Sequence, residues 1–262
     1  MVREHGAEIS LEEKKIVQLE MLKEIDFFCK ANNIKYSLAF GTLLGAIRHK
    51  GFIPWDDDVD IMMPLPDMQR FKELFRSETM KYCDVDTEKY YEYGFSRIAH
   101  LKTYNKIGII AETYGICIDL YPMVTIPNDE LDIELFFQKA SAFYNRRMRM
   151  INWRQHIIRY LPVKTIPGFQ KAMKDYRDYV LNTNNYGKTN KYYIVAGPLN
   201  IRKRTSYDFD LFEELIDVDF ENYTFSGIKQ YDNYLTMMYG DYMTPPPEDQ
   251  RHPYHGGHYY WR

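Results

Sequence analysis

"GTLLGAIRHKGFIPWDDDVDIMMP", residues 41–64, is the stretch on which the reading of this chain turns. It sets Asp56, Asp57, Asp58 and Asp60 within five positions, a short way past Gly41-Thr42. Like charges this close repel, so the chain either keeps them in water or neutralises them. "DVDIM" alternates as a strand does, and residues two apart on a strand share a face. Asp58 and Asp60 are therefore expected on one face, with Val59 and Ile61 buried on the other. Carboxylates on Cα atoms roughly 6.5–7 Å apart can reach one cation or a cation pair. Oxygen ligands of this kind suit Mg²⁺ or Mn²⁺. A solvated acidic loop after Pro54, or an N-cap cluster for a following helix, is the competing reading, but a merely solvated run needs no buried opposite face.

A second alternating run, "GICIDLYPM" at 115–123, puts Ile116, Ile118 and Leu120 on one face and Cys117, Asp119 and Tyr121 on the other. An aspartate amid apolar strand residues is costly to bury unless it is paired or bound to a metal. Asp119 is thus the third candidate carboxylate, with a loop-capping or backbone-bonded role as its alternative.

Around these runs the chain reads as mixed helix and strand. Ser10 to Glu13 form a capping box that opens a helix, which ends at Asn32-Asn33. "IKYSLAF" reads as a strand running into a Gly41-Thr42 turn, with one or two helical turns over Leu43–Arg48. Pro66–Phe75 is helical in pattern. Tyr90–His100 and Lys106–Glu112 read as strands of a hairpin or meander. Residues 128 to about 182 are helical, interrupted at Pro162 and Pro167-Gly168. "KYYIVAG" reads as a strand, "VDFENYTFSGI" as a hairpin turning at Glu221-Asn222, and Tyr231–Tyr239 as a helix stopped by Gly240. The tail after Thr244 is expected to be extended or irregular. The fold class is α/β (α+β), a mixed sheet flanked by helices with a helical elaboration at 128–190 inside one domain over 1–262.

Composition narrows the function. Thirty-four Lys and Arg against 37 Asp and Glu give a net charge of −3, which excludes a generic nucleic-acid binder. The three cysteines, Cys29, Cys83 and Cys117, form no CxxC pair and fit a reducing compartment. No apolar signal core and no run near 18 apolar residues is present, so a cytoplasmic protein is expected. Residues 135–174 hold nine of the basic residues and no Asp or Glu. That stretch is either a solvated helix face or a surface for an anionic acceptor or the inner leaflet of a membrane. His252, His255 and His258 recur every third residue in a glycine-containing tail, a poor preorganised zinc cage.

Gly41-Thr42, Asp58-x-Asp60 and Asp119 match the pattern of the nucleotidyltransferase superfamily, the fold of DNA polymerase beta. Within it, "GTLLGAIRHKGFIPWDDDVDIMMP", "GICIDLYPM" and "YDNYLTMMYGDYMTPPPEDQRHPYH" resemble the blocks of the LicD family, covering about residues 20 to 255. The resemblance implies a nucleotidyltransferase-like sheet. It also implies a phosphotransferase that moves phosphocholine from CDP-choline, or another phospho-alcohol from its CDP conjugate, onto a hydroxyl of a cell-surface glycan. Teichoic acid and lipopolysaccharide precursors, including lipid-linked ones, are such acceptors.

In-line displacement at phosphorus asks for positioning and for cancellation of charge. Asp58, Asp60 and Asp119 are the expected Mg²⁺ or Mn²⁺ ligands, and Asp119 also suits orienting or deprotonating the acceptor hydroxyl. Gly41 and Thr42 would offer backbone N–H groups and a hydroxyl to the diphosphate. Arg48 and Lys50 would contact phosphate or pair with Asp56 and Asp57, which shape the loop. Trp55 would stack on a base, meet a choline ammonium, or anchor the loop. Arg97 would contact phosphate or form a structural ion pair. An Asp-x-Asp glycosyltransferase and a non-catalytic protein of the same fold are the rival readings.

Overall fold

The computed structural model describes residues 6–89, 91–107, 111–158, 166–182, 189–195, 206–208, 210–252 and 257–262. Its elements mix helices and strands, and the Cα framework divides into two units. The first comprises 1–82, 97–120 and 211–262, and the second 83–96 and 121–210.

The first unit begins with α1 (Leu11–Ala31), opened by the expected capping box: Ser10 accepts from the Glu13 amide, and Glu13 accepts from the Ser10 amide. Its inner face is Met21, Leu22, Ile25 and Cys29, all essentially buried. Strand β2 (Ser37–Leu38) pairs antiparallel with β3 (Asp60–Pro64), which lies beside β8 (Cys117–Ile126). On the far side of β8 comes β5 (Ser96–His100), paired in turn with β4 (Met80–Cys83). Helix α2 (Phe40–His49) separates β2 from the acidic loop, and α3 (Leu65–Leu74) follows β3. A second sheet has the order β1 (Glu8–Ile9), β13 (Tyr259–Trp261), β6 (Thr103–Ile107), β7 (Ala111–Tyr114). The hairpin β11 (Leu215–Phe220) and β12 (Tyr223–Ile228) turns at Glu221 and Asn222. Both carry positive φ, 51° and 64°, as a two-residue hairpin turn requires. Helix α6 (Tyr231–Tyr239) ends at Gly240, φ 72°, as its pattern predicts.

Several elements depart from the sequence reading, each for a local reason. "IKYSLAF" yields only the two residues of β2, and Gly41-Thr42 is the first turn of a helix, not a loop turn. Phe40 takes φ 44°, unfavourable for a side chain of its size, and its amide donates to the Tyr234 hydroxyl at 3.0 Å. The strand expected from Tyr90 begins at Ser96; Tyr90 itself lies outside the described residues. Asp84 accepts from the amides of Asp86 and Thr87, a turn that competes with strand pairing upstream. Lys106–Glu112 is split between β6 and β7. The tail, expected to be irregular, supplies β13 between β1 and β6.

Gly45 sits mid-helix in α2 because nothing larger fits. A Cβ there would lie 2.4 Å from the Gly51 carbonyl oxygen. Gly45→Ala is expected to push α2 off the loop and cost about 1–3 kcal/mol, read as a lower midpoint in urea. An unchanged midpoint would show that the loop yields freely.

In the second unit the remainder of β8 pairs antiparallel with β9 (Lys191–Ile194), and β9 with β10 (Ser206–Tyr207). Two helices pack on one another, α4 (Glu130–Ile158) and α5 (Phe169–Leu181), the latter entered through Gly168 at φ 78°. Phe136 stacks on Tyr179 and meets Tyr193 edge-on. The basic character of this region is partly spent inside the unit, since Arg147 and Arg154 bond Glu92 while Lys174 and Arg177 pair with Asp86.

Candidate active site

Every candidate site residue lies in the first unit. The acidic corner is built where α2, the loop after it and β3 converge. β3 begins at Asp60, so Asp58 stands just before the strand and the expected alternation starts two residues late. Val59, Ile61, Met62 and Met63 are fully buried, so β3 is covered on both faces. Asp60 is only 7% exposed. Its amide donates to the Thr42 hydroxyl at 2.8 Å, which ties the strand to the first turn of α2. Thr42 thus holds the protein's own backbone. Thr42→Val would leave that buried amide without its acceptor, at a cost of about 1–3 kcal/mol, whereas Thr42→Ser should melt near the wild type. Comparing the two variants by thermal denaturation checks it.

Gly41 makes room for the next carboxylate. A Cβ at that position would lie 2.6 Å from Asp56 Oδ2. Asp56 therefore sits against the start of α2, where the helix dipole favours negative charge. Burial, then the charge of Asp58 and a hydrogen bond with its carboxyl, push Asp56 up to about 7. Of the two neighbouring carboxylates, Asp58 acts on Asp56 more strongly than Asp57 does. Asp57 turns the other way, into a buried ion pair with Lys14 at 3.0 Å.

Asp119 is delivered by β8. Its amide donates to the Val59 carbonyl at 2.9 Å, placing it beside the start of β3. Ile118 and Leu120 are buried, as their alternation predicts, and Asp119 is 7% exposed. Arg97, on β5, forks onto its carboxylate, Nε to Oδ1 at 2.6 Å and a terminal nitrogen to Oδ2 at 3.0 Å. The structure thus gives Arg97 the ion pair that was the alternative to phosphate contact.

Other expected contributors lie elsewhere. Arg48 donates to the Tyr242 carbonyl at 2.6 Å and its pKa is lowered by burial. It meets neither Asp56 nor Asp57 in these contacts. Lys50 is exposed and closes α2 in the left-handed region. Trp55 is half-buried, with His49 edge-on at 6.1 Å and the Arg251 guanidinium 5.3 Å over its ring, which favours the anchoring role. His258 bonds Glu8 at 2.6 Å, and His255 lies outside the described residues.

Four supports were not read from the sequence. Lys15 donates to the carbonyls of Ile53 and Pro54, and Glu221 accepts from the Phe52 amide while its own amide donates to Lys50. With Lys14 on Asp57, these clamp the loop from both sides. Tyr259 faces the same corner, its ring 4.7 Å from Lys14 Nζ, and burial raises its hydroxyl to about 12. The capping box announced α1, but not that Lys14 and Lys15 point at the acidic loop.

The donor set is all carboxylate oxygen, and the Asp56–Asp58 contact persists only if a proton or a cation offsets the charge. By ligand type alone, carboxylate oxygens suit a hard divalent ion. Among the described residues no three His, Cys, Asp or Glu side chains are grouped so that they could hold a metal ion.

A family profile described as "LicD/FKTN/FKRP, nucleotidyltransferase domain" matches residues 33–174, more than half of the chain. The chain belongs to the LicD family of phosphotransferases. The matched span contains α2, β3, Arg97 and Asp119, and so the whole acidic corner. The chain is 28% identical to the lipopolysaccharide cholinephosphotransferase LicD of Haemophilus influenzae, over 94% of this chain and 96% of that one. It is also 32% identical to the human ribitol 5-phosphate transferase FKRP over 96 residues, 36% of this chain and 17% of that protein.

Proposed function

We propose that this chain transfers a phospho-alcohol, phosphocholine from CDP-choline first among them, onto a hydroxyl of a cell-surface glycan precursor. The observation that carries the reading is the likeness, along nearly the full length of both chains, to a lipopolysaccharide cholinephosphotransferase. The acceptor hydroxyl oxygen would attack the phosphorus bearing choline while its proton passes to Asp119, the bond to the bridging oxygen breaks, and CMP departs. Asp58 and Asp60 would hold Mg²⁺ or Mn²⁺, with Asp119 as the third carboxylate, and the ion would draw negative charge from the transferred phosphoryl group. Thr42 fixes Asp60 through its amide, and Arg97 fixes the Asp119 carboxylate, which would orient the acceptor hydroxyl. Gly41 leaves the backbone at the start of α2 open to close approach. Teichoic acid and lipopolysaccharide precursors both offer suitable hydroxyls, and reaction at the cytoplasmic face suits a nucleotide-activated donor.

Thermal shift with Mg²⁺ and CDP-choline, CDP-ethanolamine, CDP-ribitol or a UDP-sugar tests the donor. A ligand at a hundred times its Kd stabilises the native state by about 2.7 kcal/mol. CDP-choline is expected to raise Tm most and to yield CMP when a glycan acceptor is added. Stabilisation by the UDP-sugar with release of UDP would replace this reading with a glycosyltransferase.

A further inference from the structure

Helix α4 runs 29 residues, about 43 Å, and from Leu135 to Ile158 it contains no Asp or Glu. The fold sorts its five Lys and Arg side chains into two groups. Arg147 is buried, donates to the Glu92 carbonyl and lies over the rings of Tyr144 and Tyr176 at 5.4 and 5.3 Å. Arg154 pairs with the Glu92 carboxylate. Lys139, Arg146 and Arg149 remain exposed, Arg146 with one contact to Asp175 at 3.1 Å. Steps of three and four along the helix put Leu135, Lys139, Ala142, Arg146, Arg149, Trp153 and His156 on one stripe. Trp153 is 50% exposed and Leu135 49%. Large apolar side chains left in water at both ends of a cationic stripe call for a partner that is anionic and apolar together.

We propose that this stripe docks the second unit on an anionic lipid leaflet. Charge complementarity selects the occupant: a bilayer surface offers negative headgroups to Lys139, Arg146 and Arg149, and its interface takes the indole of Trp153. A second copy would bring an equally cationic stripe against the first, and like charges would oppose it. The apolar side of α4, with Phe136, Phe137, Ala140 and Ile151, is buried in the unit, so the helix lies along the surface without sinking into it. The proposal does not depend on which phospho-alcohol is transferred.

The test is co-sedimentation of the full chain with vesicles of phosphatidylcholine alone, or of equal parts phosphatidylcholine and phosphatidylglycerol. Binding is expected only to the anionic vesicles, weaker at high salt, with a blue shift of tryptophan emission that Trp153→Phe removes. Each lost basic contact should weaken binding about fivefold. Lys139→Glu with Arg149→Glu should therefore cost more than tenfold while melting and CMP release with a soluble acceptor stay unchanged. Arg149→Gln, which adds no charge, should show the smaller loss. No binding to anionic vesicles, or binding that neither variant weakens, overturns the proposal. So does self-association in the ultracentrifuge that the double variant abolishes, which would make a second copy the occupant.

Discussion

Asp60→Asn is expected to lower the rate of phospho-alcohol transfer on the order of 10³-fold while leaving the fold in place. The substitution keeps the shape of the side chain, and the Asp60 amide still donates to Thr42. What it removes is one negative oxygen from a corner whose proposed task is to hold a divalent cation at the transferred phosphoryl group. Charge stabilisation by such an ion is worth several kcal/mol, and about 4 kcal/mol corresponds to that factor in rate. Because the side-chain volume and the backbone bond to Thr42 are kept, the variant should melt near the wild type in the absence of metal. The measurement is CMP release with CDP-choline and acceptor, beside melting curves with and without Mg²⁺. The wild type should gain stability from Mg²⁺ and the variant should not. Undiminished turnover in Asp60→Asn would remove Asp60 from the site.

Arg97→Met should show the largest loss of stability. The Arg97 side chain is 21% exposed and that of Asp119 10%, and the guanidinium meets both carboxylate oxygens. Removing one partner of a buried pair typically costs about 3–5 kcal/mol, because the other charge stays buried without compensation. Residual exposure of Arg97 lets water reach the site, which brings the expected loss to about 2–3 kcal/mol. For a chain of this size that is a fall in Tm of about 4–6 °C. Arg97→Met with Asp119→Leu should recover part of the loss, since no lone charge remains. The double variant should stay inactive, which separates the contribution of Asp119 to the fold from its proposed work on the acceptor. Equal melting of Arg97→Met and the wild type would show the pair to be incidental.

Much of the corner was legible because its signals are local. Four aspartates in five positions, an alternating run around Asp119, a capping box at Ser10 and a hairpin at Glu221-Asn222 are patterns of spacing two, three or four, which a linear reading detects. The start of α2 was not legible. Phe40 reaches its left-handed conformation with the help of Tyr234, 194 residues away, and no local propensity reports that contact. The roles of the basic residues were illegible for the same reason. Arg48, Arg97 and Arg147 look alike in sequence, yet one ends on a carbonyl after α6, one on Asp119 and one on Glu92.

By itself, then, the sequence determined the class of the fold, through short-range periodicity, and the family, through its motif blocks. Only the tertiary structure decided which charges meet. Lys14 finds Asp57, Asp56 presses on Asp58, and Arg97 takes Asp119. Burial makes those choices, since a charge removed from water is tolerated only beside the partner that packing brings to it.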